Sequence, residues 1–90
     1  MTQQFQGGVA VITGAASGIG TGLARKAASL GMRLVLADVN AELLNAFAAT
    51  LDAEVLAIPT DVSERTAVDA LAEQAWSRFG GVDLLFNNAG

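Results

Sequence analysis

Three glycines frame the segment of this sequence with the clearest chemical meaning, Thr13-Gly14-Ala15-Ala16-Ser17-Gly18-Ile19-Gly20. It follows the apolar run Val9-Ala10-Val11-Ile12 and opens a stretch with helical spacing. Gly14 lets the chain leave a strand in a tight turn. Gly18 lets backbone approach a phosphate with no Cβ in the way, and Gly20 lets a helix pack closely on a sheet. The N-terminus of that helix offers N–H groups and the positive end of its dipole to an anion. Ser17 adds a hydroxyl donor for a ribose or phosphate. Glycines alone also make ordinary strand-to-helix turns. Placement between a buried strand and a helix is what points to a nucleotide pyrophosphate. The spacing is GxxxGxG rather than GxGxxG, and no GxxxxGK(S/T) occurs, which excludes a P-loop.

An acid stands where such a site needs one. Asp38 ends the run Leu34-Val35-Leu36-Ala37, close to the ~20 residues beyond the turn at which a carboxylate accepts hydrogen bonds from the adenine ribose. It would repel the 2′-phosphate of NADP, and no Arg or Lys lies beside it in Ala37-Asp38-Val39-Asn40. NAD is therefore expected in preference to NADP. The bland alternative is a solvated acid at the start of the next helix. Asp61-Val62 follows the run Val55-Leu56-Ala57-Ile58. Asp61 can accept a hydrogen bond from the adenine amino group while Val62 covers the ring, although Asp is also a common turn residue. Asn87-Asn88-Ala89-Gly90 follows Asp83-Leu84-Leu85-Phe86. The asparagines can fix neighbouring backbone and touch a ribose; Ala89 and Gly90 are small enough for a cofactor to pass close by.

Composition removes other chemistries. There is no cysteine and no histidine among the 90 residues, so disulfides and thiolate metal sites are excluded, a histidine general base must come from elsewhere or not at all, and no metal site is expected. The net charge is −4 with no basic block, which argues against nucleic acid. No apolar run approaches the ~20 residues needed to span a bilayer. The polar start, Met1 to Gly8, does not read as a signal peptide, so a cytoplasmic location and no membrane partner are expected.

The elements that must position these residues alternate along the chain. Strands are predicted at 9–12, 34–37, 55–58 and 83–86. A first helix begins near Gly18, with Ile19, Leu23, Ala27 and Leu30 on its buried stripe and Gly31 at its end. A second is capped by Asn40, has Glu42 in its first turn and buries Leu43, Leu44, Phe47 and Leu51. A third is capped by Ser63, buries Val68, Leu71, Ala72, Ala75, Trp76 and Phe79, and stops at Gly80-Gly81. Arg25, Lys26 and Arg33 read as surface charges. The 52% apolar and 16% charged composition suits strands covered on both faces. A βαβαβαβ order with short crossovers implies an α/β fold with a parallel, doubly wound Rossmann-like sheet of order 3-2-1-4 in a single domain over 1–90. Its ligand should sit outside the strands' carboxyl ends, at the switch point between the first and fourth.

Taken together, TGAASGIG, Asp38, Asp61-Val62 and VDLLFNNAG resemble the short-chain dehydrogenase/reductase family over about Gly7 to Gly90. The resemblance implies reversible hydride transfer between a nicotinamide cofactor and an alcohol or ketone. It also implies that Gly14, Ser17, Gly18, Ile19 and Gly20 form the diphosphate turn, with Asp38 the ribose selector and Asp61 and Val62 the adenine wall. Asn88, Ala89 and Gly90 become the wall beside the nicotinamide ribose, with Asn87 mainly structural. The family's catalytic Ser, and the Tyr and Lys of its YxxxK motif, lie beyond an NNAG segment. This sequence contains no tyrosine, and Lys26 is its only lysine. No catalytic residue is assigned, and the ninety residues read as the cofactor half of a longer enzyme, incomplete relative to the family fold and inactive alone. A non-catalytic NAD-binding or interaction module is the competing expectation. The fourth strand would then be an exposed apolar edge, which predicts self-association.

Overall fold

The four apolar runs form one parallel sheet. In the computed structural model, which describes residues 7–61 and 64–87, the strands are β1 (Val9–Thr13), β2 (Arg33–Asp38), β3 (Val55–Pro59) and β4 (Leu84–Asn87). Three helices alternate with them: α1 (Gly18–Ser29), α2 (Ala41–Ala48) and α3 (Arg65–Phe79). The order across the sheet is β3-β2-β1-β4, with every pair parallel, as the alternation predicts. Val62, Ser63 and residues 88–90 lie outside the described residues, so the expected Ser63 cap falls there. The described N-cap of α3 is Glu64, whose side chain makes no capping bond.

The two inner strands carry the core, because only they have neighbours on both sides as well as on both faces. Residues 9–13 of β1 and 34–37 of β2 are all buried. Strand alternation sends Ala10, Ile12, Leu34 and Leu36 to one face, where α1 and α2 cover them with Ala24, Ala27, Leu44 and Phe47. Val9, Val11, Val35 and Ala37 face the other way, against Leu71, Ala75 and Phe79 of α3, the one helix on that face among the described residues. β3 stands at the edge, where the expected order 3-2-1-4 puts it. It is half-buried at 55–58, as an edge strand must be.

Each helix buries a narrower stripe than its apolar residues predict. α3 has two adjacent rows at i, i+4 spacing. The row Leu71, Ala75, Phe79 meets the sheet; Val68, Ala72 and Trp76 do not, and Trp76 is 60% exposed. A single helix on this face presents one row to the strands and leaves the next at the flank. Ile19 is 72% exposed rather than buried, because it lies in the first turn of α1, where the helix overhangs the end of the sheet. Gly20, Ala24 and Ala27 make the buried row. Leu43 is likewise exposed, while Leu44 and Phe47 are buried.

The helix ends follow their local chemistry. Asn40 caps α2 by accepting from the N–H of Leu43 at 3.1 Å. After α1, Gly31 N–H donates to Ala28 and Met32 N–H to Ala27, a Schellman turn that returns the chain to β2. A hydrogen-bond pair fixes the entry to β4. Asp83 precedes that strand rather than opening it, and its carboxylate accepts from Val9 N–H at 2.8 Å while its own N–H donates to Val9 O at 2.9 Å.

Candidate functional site

The parallel registers bring the carboxyl ends of all four strands to one edge. Thr13 lies beside Ala37 on one side and Asn87 on the other, and Asp38 lies beside Pro59. The glycine turn, Asp38 and Asp61 therefore emerge together. The strand order reverses between β1 and β4, since β1 leads to β2 on one side while β4, reached from β3 by way of α3, pairs on the other. This is the switch point where a ligand crevice is expected. The Thr13 hydroxyl spans this point, donating to Phe86 O at 3.4 Å.

Within the turn, Gly14 has φ +64°, a conformation that L side chains avoid. A Cβ on Gly20 would lie 2.1 Å from Gly14 O and 2.9 Å from the Ala15 Cα. Gly20 thus packs α1 against the turn itself, a tighter constraint than the helix-to-sheet contact expected of it. Gly18 differs: a Cβ there would meet nothing within 4 Å, so the space beside it is open. Ile19 stands exposed next to it. Gly18 and Ile19 occupy the first turn of α1, whose N–H groups have no acceptor within the helix.

Ser17 is the N-cap of α1. Its hydroxyl donates to Gly14 O at 2.7 Å and accepts from Gly20 N–H at 3.4 Å. This capping role was missed in reading it as a ligand donor, although a serine directly before a helix start is its ordinary signal.

Asp38 ties three segments together. One carboxylate oxygen accepts from Ala16 N–H at 3.0 Å, the other from Asn40 N–H at 2.9 Å. Its backbone carbonyl accepts from Thr60 N–H at 2.9 Å. The Asn40 contact is a local Asx-turn with a sequence signal; the Ala16 contact crosses between strands and has none. Thr60, also unnoticed in the sequence, is buried and donates its hydroxyl to Ile58 O at 2.9 Å. It leads directly into Asp61, which is exposed and whose carbonyl accepts from Glu64 N–H at 3.0 Å. Val62, Asn88, Ala89 and Gly90, with the side chain of Asn87, lie outside the described residues.

Arg25 and Arg33 are engaged with aromatic rings. Arg25 lies over the Phe47 ring at 5.3 Å and Arg33 over Phe79 at 5.1 Å. Arg25 also lines an open groove with Ser29, Thr50 and Asp52, where α1 and α2 end and β2 and β3 begin, away from the glycine turn. Among the described residues no group of acidic side chains is placed to hold a metal ion. No helix among them is long and apolar enough to cross a membrane.

A glycine turn on a helix N-terminus, open space at Gly18 and an oriented carboxylate at the next strand end suit a dinucleotide's diphosphate and ribose. Comparison with known proteins agrees in kind. The family model described as short chain dehydrogenase matches residues 8–90. The 1-deoxy-11-beta-hydroxypentalenate dehydrogenase of Streptomyces arenae is 46% identical over 84 residues, covering 90% of this chain and 30% of that protein. A short chain dehydrogenase/reductase of Burkholderia phymatum, solved in complex with NAD, is 54% identical with a TM-score of 0.85, over 96% of this chain and 32% of that one. L-sorbose reductase of Gluconobacter frateurii, solved with NADPH and L-sorbose, gives 39% identity and a TM-score of 0.92, over 100% of this chain and 36% of that one. The chain thus spans about a third of the length of these relatives.

Proposed function

This chain belongs to the short-chain dehydrogenase family, and on that premise we propose that it forms the dinucleotide-binding half of an NAD-dependent oxidoreductase acting on an alcohol or ketone. Residues 1–90 act as one cofactor-binding unit. Gly14, Ser17, Gly18, Ile19 and Gly20 surround the diphosphate, with Ser17 contributing through the turn it caps. Asp38 takes the adenine ribose, Asp61 and Val62 the adenine, and Asn88, Ala89 and Gly90 the ribose beside the nicotinamide. Bound NAD supplies the hydride acceptor; this chain's residues hold and orient it.

The observation that carries the NAD reading is the Asp38 carboxylate, held by Ala16 and Asn40 N–H groups at the end of β2. A carboxylate has about four lone-pair sites, so acceptor capacity is left for ribose hydroxyls. The same charge opposes a 2′-phosphate. Segments 14–20 and 37–40 contain no Arg or Lys to offset it. The relatives support a dinucleotide of either kind, since NAD and NADPH both occur among them. Calorimetric titration of NAD and NADP into the protein tests the choice. NAD should bind at least tenfold tighter, and equal or tighter NADP binding would refute it.

The absence of tyrosine, with Lys26 exposed on α1 as the sole lysine, favours a second reading for these ninety residues by themselves. They bind without turning over, because no phenol is present to donate a proton. Measurable nicotinamide reduction by the ninety-residue chain with any alcohol would exclude that reading.

A further inference from the structure

Asp38 does more here than face a ligand. Its Oδ2 accepts the Ala16 N–H at 3.0 Å, reaching back from the end of β2 into the turn after β1. Beside it, Ala15 N–H donates to Ala37 O at 3.0 Å. These two bonds are successive rungs joining the turn to β2. The first is an ordinary backbone pair that any residue at 37 preserves. The second depends on the side chain at 38. The same carboxylate closes the Asn40 turn through Oδ1, and its residue's carbonyl holds Thr60, the neighbour of Asp61.

We propose that Asp38 is a positioning residue for the glycine turn, so that one carboxylate sets both the shape of the diphosphate site and the choice between dinucleotides. A hydrogen bond to a charged acceptor is roughly twice as strong as a neutral one. Ala16 lies one residue before the Ser17 cap and two before Gly18, so its amide fixes where the N-terminus of α1 points. Removing the carboxylate removes the repulsion of a 2′-phosphate and also releases the turn that must hold the diphosphate. A change of cofactor preference at this position therefore requires that an acceptor be kept. This rests on Asp38 facing a bound dinucleotide, but the positioning role is visible without any ligand.

The test uses amide hydrogen exchange by NMR on the ligand-free ninety-residue chain, comparing wild type, Asp38→Asn and Asp38→Ala. The sheet amides of Val11 and Leu36 serve as internal references for global opening. Relative to these references, Ala16 exchange should accelerate about tenfold or more in Asp38→Ala. In Asp38→Asn, whose single amide oxygen must serve Ala16 or Asn40, the acceleration should be several-fold. Unchanged relative exchange in either variant overturns the proposal; should Asp38→Ala not fold, Asp38→Asn alone decides. Titration of the same proteins gives the functional arm. Asp38→Ala should bind NAD and NADP both more weakly than wild type, whereas Asp38→Asn should gain NADP relative to NAD. Tighter NADP binding by Asp38→Ala than by wild type would show that the turn needs no carboxylate. Wild-type protein binding NADP as tightly as NAD would defeat the NAD reading while leaving the exchange result to judge the positioning role.

Discussion

Gly20 sits so close to Gly14 that a Cβ on the former would lie 2.1 Å from the carbonyl oxygen of the latter. Two glycines of one turn therefore have different duties: Gly20 closes the turn on its own helix, whereas Gly18 borders open space. Gly20→Ala should destabilise the fold by roughly 1–3 kcal/mol, the usual cost of overpacking. Gly18→Ala should be neutral or slightly stabilising, since Ala is the better helix former, yet should weaken NAD binding at least several-fold. Denaturant titration paired with calorimetry separates the two. A stable Gly20→Ala variant, or unimpaired NAD binding by Gly18→Ala, would contradict this division.

Ser17 and Asp83 show polar residues whose work is in the fold. Ser17→Ala removes the N-cap of α1 and should cost about 0.5–2 kcal/mol. Asp83→Ala breaks the carboxylate bond to Val9 N–H, at the end of the sheet remote from the glycine turn. Asp83 is exposed, so the loss should stay at about 1.5 kcal/mol, the lower end for a hydrogen bond to a charged group. Asp83→Asn keeps an acceptor and should lose less. Urea melts of the three variants check the order, and the ratio of NAD to NADP affinity should be unchanged in the Asp83 variants.

The element order, the sheet order and the gathering of Gly14, Asp38 and Asp61 at one edge were legible because they depend on local patterns. Apolar runs of four or five residues mark strands, glycines and asparagines mark the ends, and short crossovers fix handedness. Which apolar residue lies inward was less legible. Ile19, Leu43, Val68 and Trp76 match helical spacing, but each helix meets the sheet along one row, and the sequence does not say which row wins. Contacts between distant segments left no trace either. The Ala16–Asp38 and Val9–Asp83 bonds depend on strand register, which follows from the packed sheet rather than from either segment.

Trp76 gives a direct optical check on that correction. It is the single tryptophan, 60% exposed on α3. Its emission should lie near that of a solvated indole and be readily quenched by iodide or acrylamide. Trp76→Ala should change stability by less than about 1 kcal/mol, far below the ~3–5 kcal/mol of a buried tryptophan. Blue-shifted, protected emission would return Trp76 to the core.

The outer edge of β4 has the strongest consequence for behaviour in solution. β4 pairs with β1 on one side only among the described residues, and Leu85, opposite Val11, is 66% exposed. On that face α3 packs over Val9, Val11, Val35 and Ala37 and leaves Leu85 uncovered. An unpaired row of backbone groups beside an exposed leucine is a template for another strand. The ninety-residue chain should therefore self-associate, with a weight-average mass that rises with concentration in sedimentation equilibrium. Leu85→Lys places a charge on that surface and should shift the population toward monomer without lowering the melting temperature, since the side chain is not part of the core. A wild-type chain that stays monomeric at high concentration, or a variant that associates equally well, would place the contact elsewhere or remove it.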